Sequence, residues 1–262
     1  MFLVFTISIS GYTQYKRTAA PKFSDGLTLS GKGGVNMFFG DLVDNSRNSF
    51  SFGLTLDREV HKLFTVRTSL MCGKMKGTQV YQADPNFTFA SFKNSYLEWT
   101  IGGTYSILNH IYGYFRERKV QPYFLLQLGL LYYNATEYWG LEDYIQDFGP
   151  VWRKVSGITP VAGIGGGATF WINPRWKASL EISGFYPFSD KLDGHDYWYM
   201  KPDTTKTYKT KSNDFYYTAT VGVVYLFNVS KFKNDFSYNR KTYEKNHKYF
   251  PKKARRTSIK RR

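Results

Sequence analysis

The apolar positions of this chain recur with a period of two. In RWKASLEISGFYP, residues 175–187, Trp176, Ala178, Leu180, Ile182, Gly184 and Tyr186 fall on one side of an extended backbone. Lys177, Ser179, Glu181, Ser183 and Phe185 fall on the other. The same alternation returns along the chain. Phe50, Phe52, Leu54 and Leu56 oppose Ser51, Gly53, Thr55 and Asp57, and Phe64, Val66, Thr68, Leu70 and Cys72 oppose Thr65, Arg67, Ser69 and Met71. Leu97, Trp99, Ile101 and Tyr105 oppose Tyr96, Glu98, Thr100 and Thr104, and Phe124, Leu126, Leu128, Leu130 and Tyr132 oppose Tyr123, Leu125, Gln127 and Gly129. A glycine-rich run sets Ala162, Ile164, Ala168 and Phe170 against Gly163, Gly165 and Gly167. Near the end, Tyr217, Ala219, Val221, Val223, Tyr225 and Phe227 oppose Thr218, Thr220 and Gly222. With LTLSGKGGVNMFF at 27–39, the pattern predicts eight strands.

Each run is long enough to cross a tilted bilayer path of about 9–11 residues. The connectors near 60–62 and 173–175 are tight, and 108–120 is moderate, whereas 40–48, 74–93, 136–156 and 188–212 are mostly longer and rich in Asp, Asn, Tyr and Trp. Short turns at one end and long loops at the other are the pattern of an outer-membrane barrel, with turns periplasmic and loops outside. An even strand count then leaves both termini in the periplasm. The expected fold is all-β: an eight-stranded antiparallel up-and-down transmembrane β-barrel with long extracellular loops.

This fold decides which face is inside. The polar sides are rich in Thr, Ser and Gly and carry few charges, which suits a lumen. A soluble sandwich or lipocalin-like barrel would instead have an outer face rich in Lys and Glu. The oily side is therefore expected to meet lipid. By the same parity Lys32, Arg67 and Lys177 share the lumen with Asp57, Glu59, Glu98 and Glu181. An eight-stranded barrel is just wide enough for its side chains to fill it, so these charges are expected to pair and plug it. Gly163, Gly165 and Gly167 would make room for larger neighbours. Trp99, Tyr132, Trp171, Trp176, Tyr186 and Phe227 are assigned to the interfacial girdles.

Composition agrees. Aromatic residues are 19% of the 262, yet the mean hydropathy is −0.43. Residues 1–14, MFLVFTISISGYTQ, read as a signal peptide whose start lies upstream of Met1, and 15–26 as a periplasmic lead-in. The barrel is assigned to 27–228 and a basic periplasmic tail to 229–262. The net charge of +16 is concentrated in that tail, which carries about eleven of those charges between Lys231 and Arg262. It ends in Lys252, Lys253, Arg255, Arg256, Lys260, Arg261 and Arg262, with Phe232, Phe236, Tyr238, Tyr243, Tyr249 and Phe250 interleaved upstream. In the periplasm such an arm meets anionic headgroups, cell-wall polymer or an acidic protein surface, and nucleic acid is not expected.

Candidate chemistry is sparse. Cys72 stands alone, and His61, His110, His195 and His247 show no metal-ligand spacing. GIGGG at 163–167 has no following Lys-Ser/Thr and is strand glycine, not a phosphate loop. Lipid-modifying barrel enzymes would need a Ser and a His together at the outer rim, and HKL, HIY, HDY and HKY contain no His-x-Ser pair. His195 with Asp193 and Asp196 is the one external His–carboxylate group, and it reads as a solvated loop. Asp190, Asp193 and Asp196 lack calcium-loop spacing. No catalytic residue, cofactor, metal or small-molecule substrate is expected.

Several segments together resemble a Bacteroidota family of outer-membrane barrels whose best-known type is the PorG-like component of the type IX secretion system. They are GGVNMFFGDLVD at 33–44, FGLTLDREVHKLFTVRTSLMCGKMKG at 52–77, VQPYFLLQLGLLYYN at 120–134 and INPRWKASLEISGFYPFSDKLDG at 172–194. Phe39-Gly40-Asp41, the NPRW turn and the FSDKLDG that follows occur in the family's order, and the likeness spans about residues 33–228. The family usually has a second acidic residue where Gly194 stands. The resemblance implies a non-enzymatic barrel associated with the periplasmic lipoprotein ring of the secretion machinery. It leaves the basic tail unexplained. The alternative function is a surface adhesin or receptor working through loops 136–156 and 188–212, with Tyr138, Trp139, Tyr197 and Trp198 as grips; a lipid-modifying enzyme ranks below it.

Overall fold

The computed structural model describes residues 23–40, 45–81, 84–112, 119–139, 151–173, 175–195, 197–199, 207–209 and 214–228. The expected leader at 1–14 and the tail at 229–262 lie outside them. The long strands are β1 (Leu27–Phe39), β3 (Ser49–Glu59), β4 (Phe64–Tyr81), β5 (Asp84–Ser106), β6 (Val120–Trp139), β7 (Val151–Trp171), β8 (Trp176–Pro187) and β11 (Phe215–Leu226). Each pairs antiparallel with the next, and β11 returns to β1 from Thr28↔Leu226 to Phe39↔Phe215. The eight form a closed ring with no free edge. The short β2 (Asn45–Arg47) lies on the far end of β4 beyond β3, and β9 (Tyr197–Tyr199) and β10 (Thr207–Lys209) make a separate ribbon.

The short connectors share one end. Val60 and His61 donate backbone N–H to the Phe64 carbonyl at 3.2 and 3.0 Å. In the Asn-Pro-Arg turn, the Asn173 side-chain oxygen accepts from the amides of Arg175 and Trp176 at 2.9 and 2.8 Å, a local bond that makes Asn a turn residue. The connector after β5 opens with the helix α1 (Ile107–Tyr112), whose buried Asn109 donates to the Lys62 carbonyl at 2.9 Å. Both described ends of the chain meet there too: Gly26 N–H donates to the Asn228 carbonyl at 3.1 Å.

Around the ring the apolar positions point outward. Ile158, Leu128 and Leu126 are 69%, 67% and 64% exposed, and Phe52, Leu54, Val66, Leu70, Ile101, Ile164, Leu180, Ile182, Val221 and Val223 join them in a continuous band. Such a belt far exceeds the few hundred Å² of apolar patch that a water-soluble monomer shows. Ser30, Lys32, Ser51, Thr55, Arg67, Glu98, Thr100, Ser179 and Thr220 are buried on the inner side. The polarity is that of a barrel in hydrocarbon, where the strands satisfy one another's backbone groups. Among the described residues no helix is long and apolar enough to cross a membrane; the strands do so.

One expected loop is not a loop. Residues 74–93 belong mostly to β4 and β5, which with β6 and β7 are each at least five residues longer than any of the other four strands. At roughly 3.3 Å per residue and the usual tilt, this tall wall projects about 20 Å past the belt. Where it leaves the belt, the alternation inverts. The row Cys72, Leu97, Tyr132, Ile158 is the last mainly apolar one outside. Above it Lys74, Ser95, Asn134 and Ser156 face out, while Met75, Ala90, Phe92, Tyr133 and Ala135 are buried inside. The surrounding solvent has changed from hydrocarbon to water, and the sheet changes its faces with it.

Leu128→Arg, mid-belt on β6, is expected to cost about 2–4 kcal/mol of stability in lipid vesicles, and Ser156→Arg, above the belt, about 0–1 kcal/mol. Denaturant titration of the vesicle-embedded protein measures both. Equal costs would contradict the placement of the belt.

Candidate functional site

The lumen below the wall holds an ion cluster built from four strands. Arg67 on β4 sends Nε and Nη2 to Asp57 Oδ1 and Oδ2 on β3 at 2.6 and 3.0 Å, a two-pronged pair in cross-strand register. Its Nη1 reaches Glu181 Oε2 on β8 at 2.5 Å. That same oxygen accepts from Lys32 Nζ on β1 at 2.9 Å and from the Tyr123 hydroxyl on β6 at 2.6 Å. The guanidinium also lies 5.3 Å from the Tyr123 ring centre. Desolvating such charges is costly, and only dense pairing and hydrogen bonding offset it. Glu181 is the hub.

Of the charges assigned to the lumen by parity, the structure brings Lys32, Asp57, Arg67 and Glu181 into this one network. Glu98 is buried apart from it, accepting a short hydrogen bond from the Tyr216 hydroxyl. Glu59 and Lys177 line the lower mouth with His61 and Lys62, and Lys177 Nζ sits 4.3 Å from the Trp171 ring centre. Trp171 pairs with Lys177 in register and shares its inward side, so it is a floor for that ammonium and not a girdle residue. The void at this mouth is about 70 Å³, and a second one beside Glu98 and Lys32 is about 20 Å³, room for a few water molecules. The glycines of β7 admit the packing. A Cβ at Gly167 would stand 2.7 Å from the Tyr123 hydroxyl, and one at Gly163 would stand 2.8 Å from the Phe185 ring.

Above the ions the lumen turns apolar. Phe38, Met75, Phe92, Tyr96, Leu131, Tyr133, Val161, Phe185 and Tyr216 form a buried cluster, with Phe185 stacked on Tyr216 at 4.9 Å and Phe38 edge-on to Phe92 at 4.8 Å. The segment after β8 caps it by inserting Leu192, which is fully buried. Leu192 N–H donates to Asp214 Oδ2 at 2.8 Å, and Asn94 Nδ2 donates to the Leu192 carbonyl at 2.7 Å. Gly194 takes the turn at φ +88°, a conformation open to glycine and costly for most side chains. His195 then lies buried, its ring Nδ1 3.0 Å from Glu137 Oε1 on β6 and its N–H donating to Asp193 Oδ1 at 2.8 Å.

This overturns the reading of His195 and Asp193 as a solvated loop; both are nearly or wholly inaccessible. The Asp196 assigned beside them lies outside the described residues. Sequence reasoning missed Tyr123, Tyr216, Glu137, Leu192 and Asp214. For the first three a signal existed, since each sits in phase with the inward face of its strand. For Leu192 and Asp214 only the fold supplies the contact. Among the described residues no group of three or more His, Cys, Asp or Glu side chains is arranged to hold a metal. The arrangement fills the lumen with paired charges below and packed apolar side chains above.

Arg67→Ala strands Asp57 and Glu181 and is expected to cost about 3–5 kcal/mol. Lys32→Met should cost less, because Glu181 keeps two donors; denaturant unfolding in vesicles compares them. Leu192→Ala is expected to weaken cap docking by about 2–5 kcal/mol, read as faster hydrogen exchange at the Leu192 amide. In planar bilayers the intact protein should show no stable porin-type conductance.

No protein-family model matches the chain, and no curated protein does. Solved structures to which it is similar include Neisserial surface protein A, at 13% identity and TM-score 0.44 over 78% of this chain and 98% of that one. The attachment invasion locus protein Ail of Yersinia pestis stands at 14% and 0.42 over 77% and 98%. OprG of Pseudomonas aeruginosa stands at 12% and 0.42 over 79% and 98%.

Proposed function

We propose that the protein is a non-enzymatic structural anchor in the outer membrane, serving type IX protein secretion. Its basic tail, including Lys252, Lys253, Arg255, Arg256, Lys260, Arg261 and Arg262, would contact the periplasmic lipoprotein ring of that machinery. The observation that carries the anchor reading is the lumen. It is occupied by the Arg67–Glu181 network below and by the Leu192 cap above, so the barrel is built to stay shut. The secretion role rests on the resemblance of segments 33–44, 52–77, 120–134 and 172–194. The tail follows Asn228, which leaves the barrel at the short-turn end together with residue 26, the end that faces the periplasm in such barrels.

A second reading, an adhesin or receptor, draws on the β9–β10 ribbon, where Tyr197, Trp198 and Tyr199 pair with Lys209, Tyr208 and Thr207 outside the barrel sheet. An extracellular ribbon rich in Tyr and Trp suits recognition, since these side chains dominate binding hot spots.

Deleting residues 229–262 separates the two. On the anchor reading, periplasmic partners cease to co-purify from solubilised envelopes while the barrel keeps its heat-modifiable gel mobility. A gene knockout should abolish secretion of type IX cargo. Unchanged co-purification refutes the tail's docking role, and unimpaired cargo secretion with lost surface binding favours the adhesin.

A further inference from the structure

Within the apolar belt, the outer face of the barrel has a hollow of about 690 Å³ spanning β6, β7, β8 and β11. Two adjacent outward rows frame it. One runs Leu128, Ala162, Tyr186, and the next runs Leu126, Ile164, Gly184, Tyr217, each set by direct cross-strand pairing. Ala162 and Gly184 are diagonal neighbours in these rows and give the floor, where the sheet carries almost no outward side chain. Leu126, Leu128 and Ile164, all largely exposed, stand along one side. Tyr186, Phe215 and Tyr217 stand along the other.

The aromatic side is braced. Phe215 meets Tyr217 edge-on at 5.6 Å. Phe39 stacks on Phe215 at 5.0 Å and meets Tyr217 edge-on at 5.8 Å. A Cβ at Gly184 would stand 2.9 Å from the Tyr217 ring, so that ring leans across the glycine. Beneath the floor, Phe185 is stacked on Tyr216 in the lumen and supports the sheet from inside. The shape is therefore set by packed rings and strand register.

The surroundings select the occupant. The hollow opens from the belt towards the bilayer core, and its lining is almost wholly apolar. Water there finds too few polar partners to stay, and an empty hollow would forfeit dispersion contact along its lining. What fills it must be apolar, flexible enough to follow the groove and abundant in the hydrocarbon. An acyl chain meets all three conditions. Tyr186 is the penultimate residue of β8, and Phe215 begins β11. The hollow thus reaches from the long-loop ends of these strands down to mid-belt at Leu128, the half of the bilayer that outer-leaflet chains occupy.

We infer that this hollow is a binding site for an acyl chain of an outer-leaflet lipid. The chain lies between the aliphatic ridge of Leu126, Leu128 and Ile164 and the aromatic wall of Tyr186, Phe215 and Tyr217. Elsewhere on the belt lipid chains pass as solvent; here one inserts and is held. The site lies away from the tail and stands whether or not the protein serves secretion.

The full-length protein is reconstituted in vesicles of phosphatidylethanolamine and phosphatidylglycerol. A trace of the phosphatidylethanolamine carries a diazirine midway along one acyl chain. After illumination, labelled residues are mapped by mass spectrometry. Labelling at Leu126 and Leu128 should exceed that at Leu54 and Leu70, exposed belt leucines on β3 and β4, by at least about fivefold. Ala162→Leu fills the hollow and should remove that excess. Ala178→Leu, the same change at an outward position lower on β8, should leave it intact. Heat-modifiable mobility shows that each variant folds, and Ala162→Val, expected to reduce the excess in part, replaces Ala162→Leu if that variant does not. Equal labelling of the two leucine pairs in the wild type, or an undiminished excess in a folded Ala162 variant, overturns the site. Weak labelling at Leu126 and Leu128, together with a dimer in detergent that Ala162→Leu disperses, overturns it in favour of self-association through this face.

Discussion

A sheet in hydrocarbon cannot leave a backbone edge open, because each unpaired N–H or C=O there costs several kcal/mol. The β1–β11 pairing, from Thr28↔Leu226 to Phe39↔Phe215, answers that constraint, and the rest of the architecture follows from closure. Once the ring is shut, every side chain is assigned to the lumen or the lipid by parity alone. A one-residue slip of β8 would move Glu181 and Lys177 into lipid and Leu180 and Ile182 into the lumen. The register is therefore held by both solvents at once.

Closure with eight strands also fixes how narrow the interior is. Charges enclosed there have no bulk water to draw on, so they converge. Glu181 Oε2 receives Lys32, Arg67 and Tyr123 together, and Arg67 spreads its guanidinium over two carboxylates. The convergence needs space on the β7 side, which the missing side chain of Gly167 provides for Tyr123. Further up, Phe38, Leu131, Tyr216 and Leu192 fill the lumen by ordinary apolar packing. The interior thus has two layers with different cohesive forces, ionic below and hydrophobic above, and salt or pH acts on them differently.

The belt was legible in the sequence because a single solvent, hydrocarbon, imposes one rule over each run of about ten residues. Strand identities, outward stripes and the inward set of Lys32, Asp57, Arg67, Glu98, Lys177 and Glu181 all follow from that rule. The wall was not legible for the same reason. In GKMKGTQVY and FTFASFKN the pattern still alternates, but Met75 and Phe92 now belong inside and Lys74, Lys76 and Lys93 outside. Read with the hydrocarbon rule, these stretches look like polar loop. The His195–Glu137 contact spans 58 positions of sequence and depends on where the cap folds, which no local pattern encodes. A hint was present in Gly194, since glycine beside two acids and a histidine marks a turn, yet a turn does not say whether it faces water or a core.

A barrel whose lumen is packed in this way has only its surfaces left with which to act. Those surfaces are unlike one another. The lower rim gathers the short turns, α1 and both described chain ends; the belt is uniformly apolar; and above it, among the described residues, β4, β5, β6 and β7 continue, with the short β2 on the edge of β4. The cap segment lies against the inner face of that wall through Asn94 and Glu137, which leaves the outer face at the headgroup level as its lipid-side surface. One-sided height breaks the rotational symmetry of the cylinder. A cylinder with a distinct side can be held in one orientation by what it touches at the headgroup level.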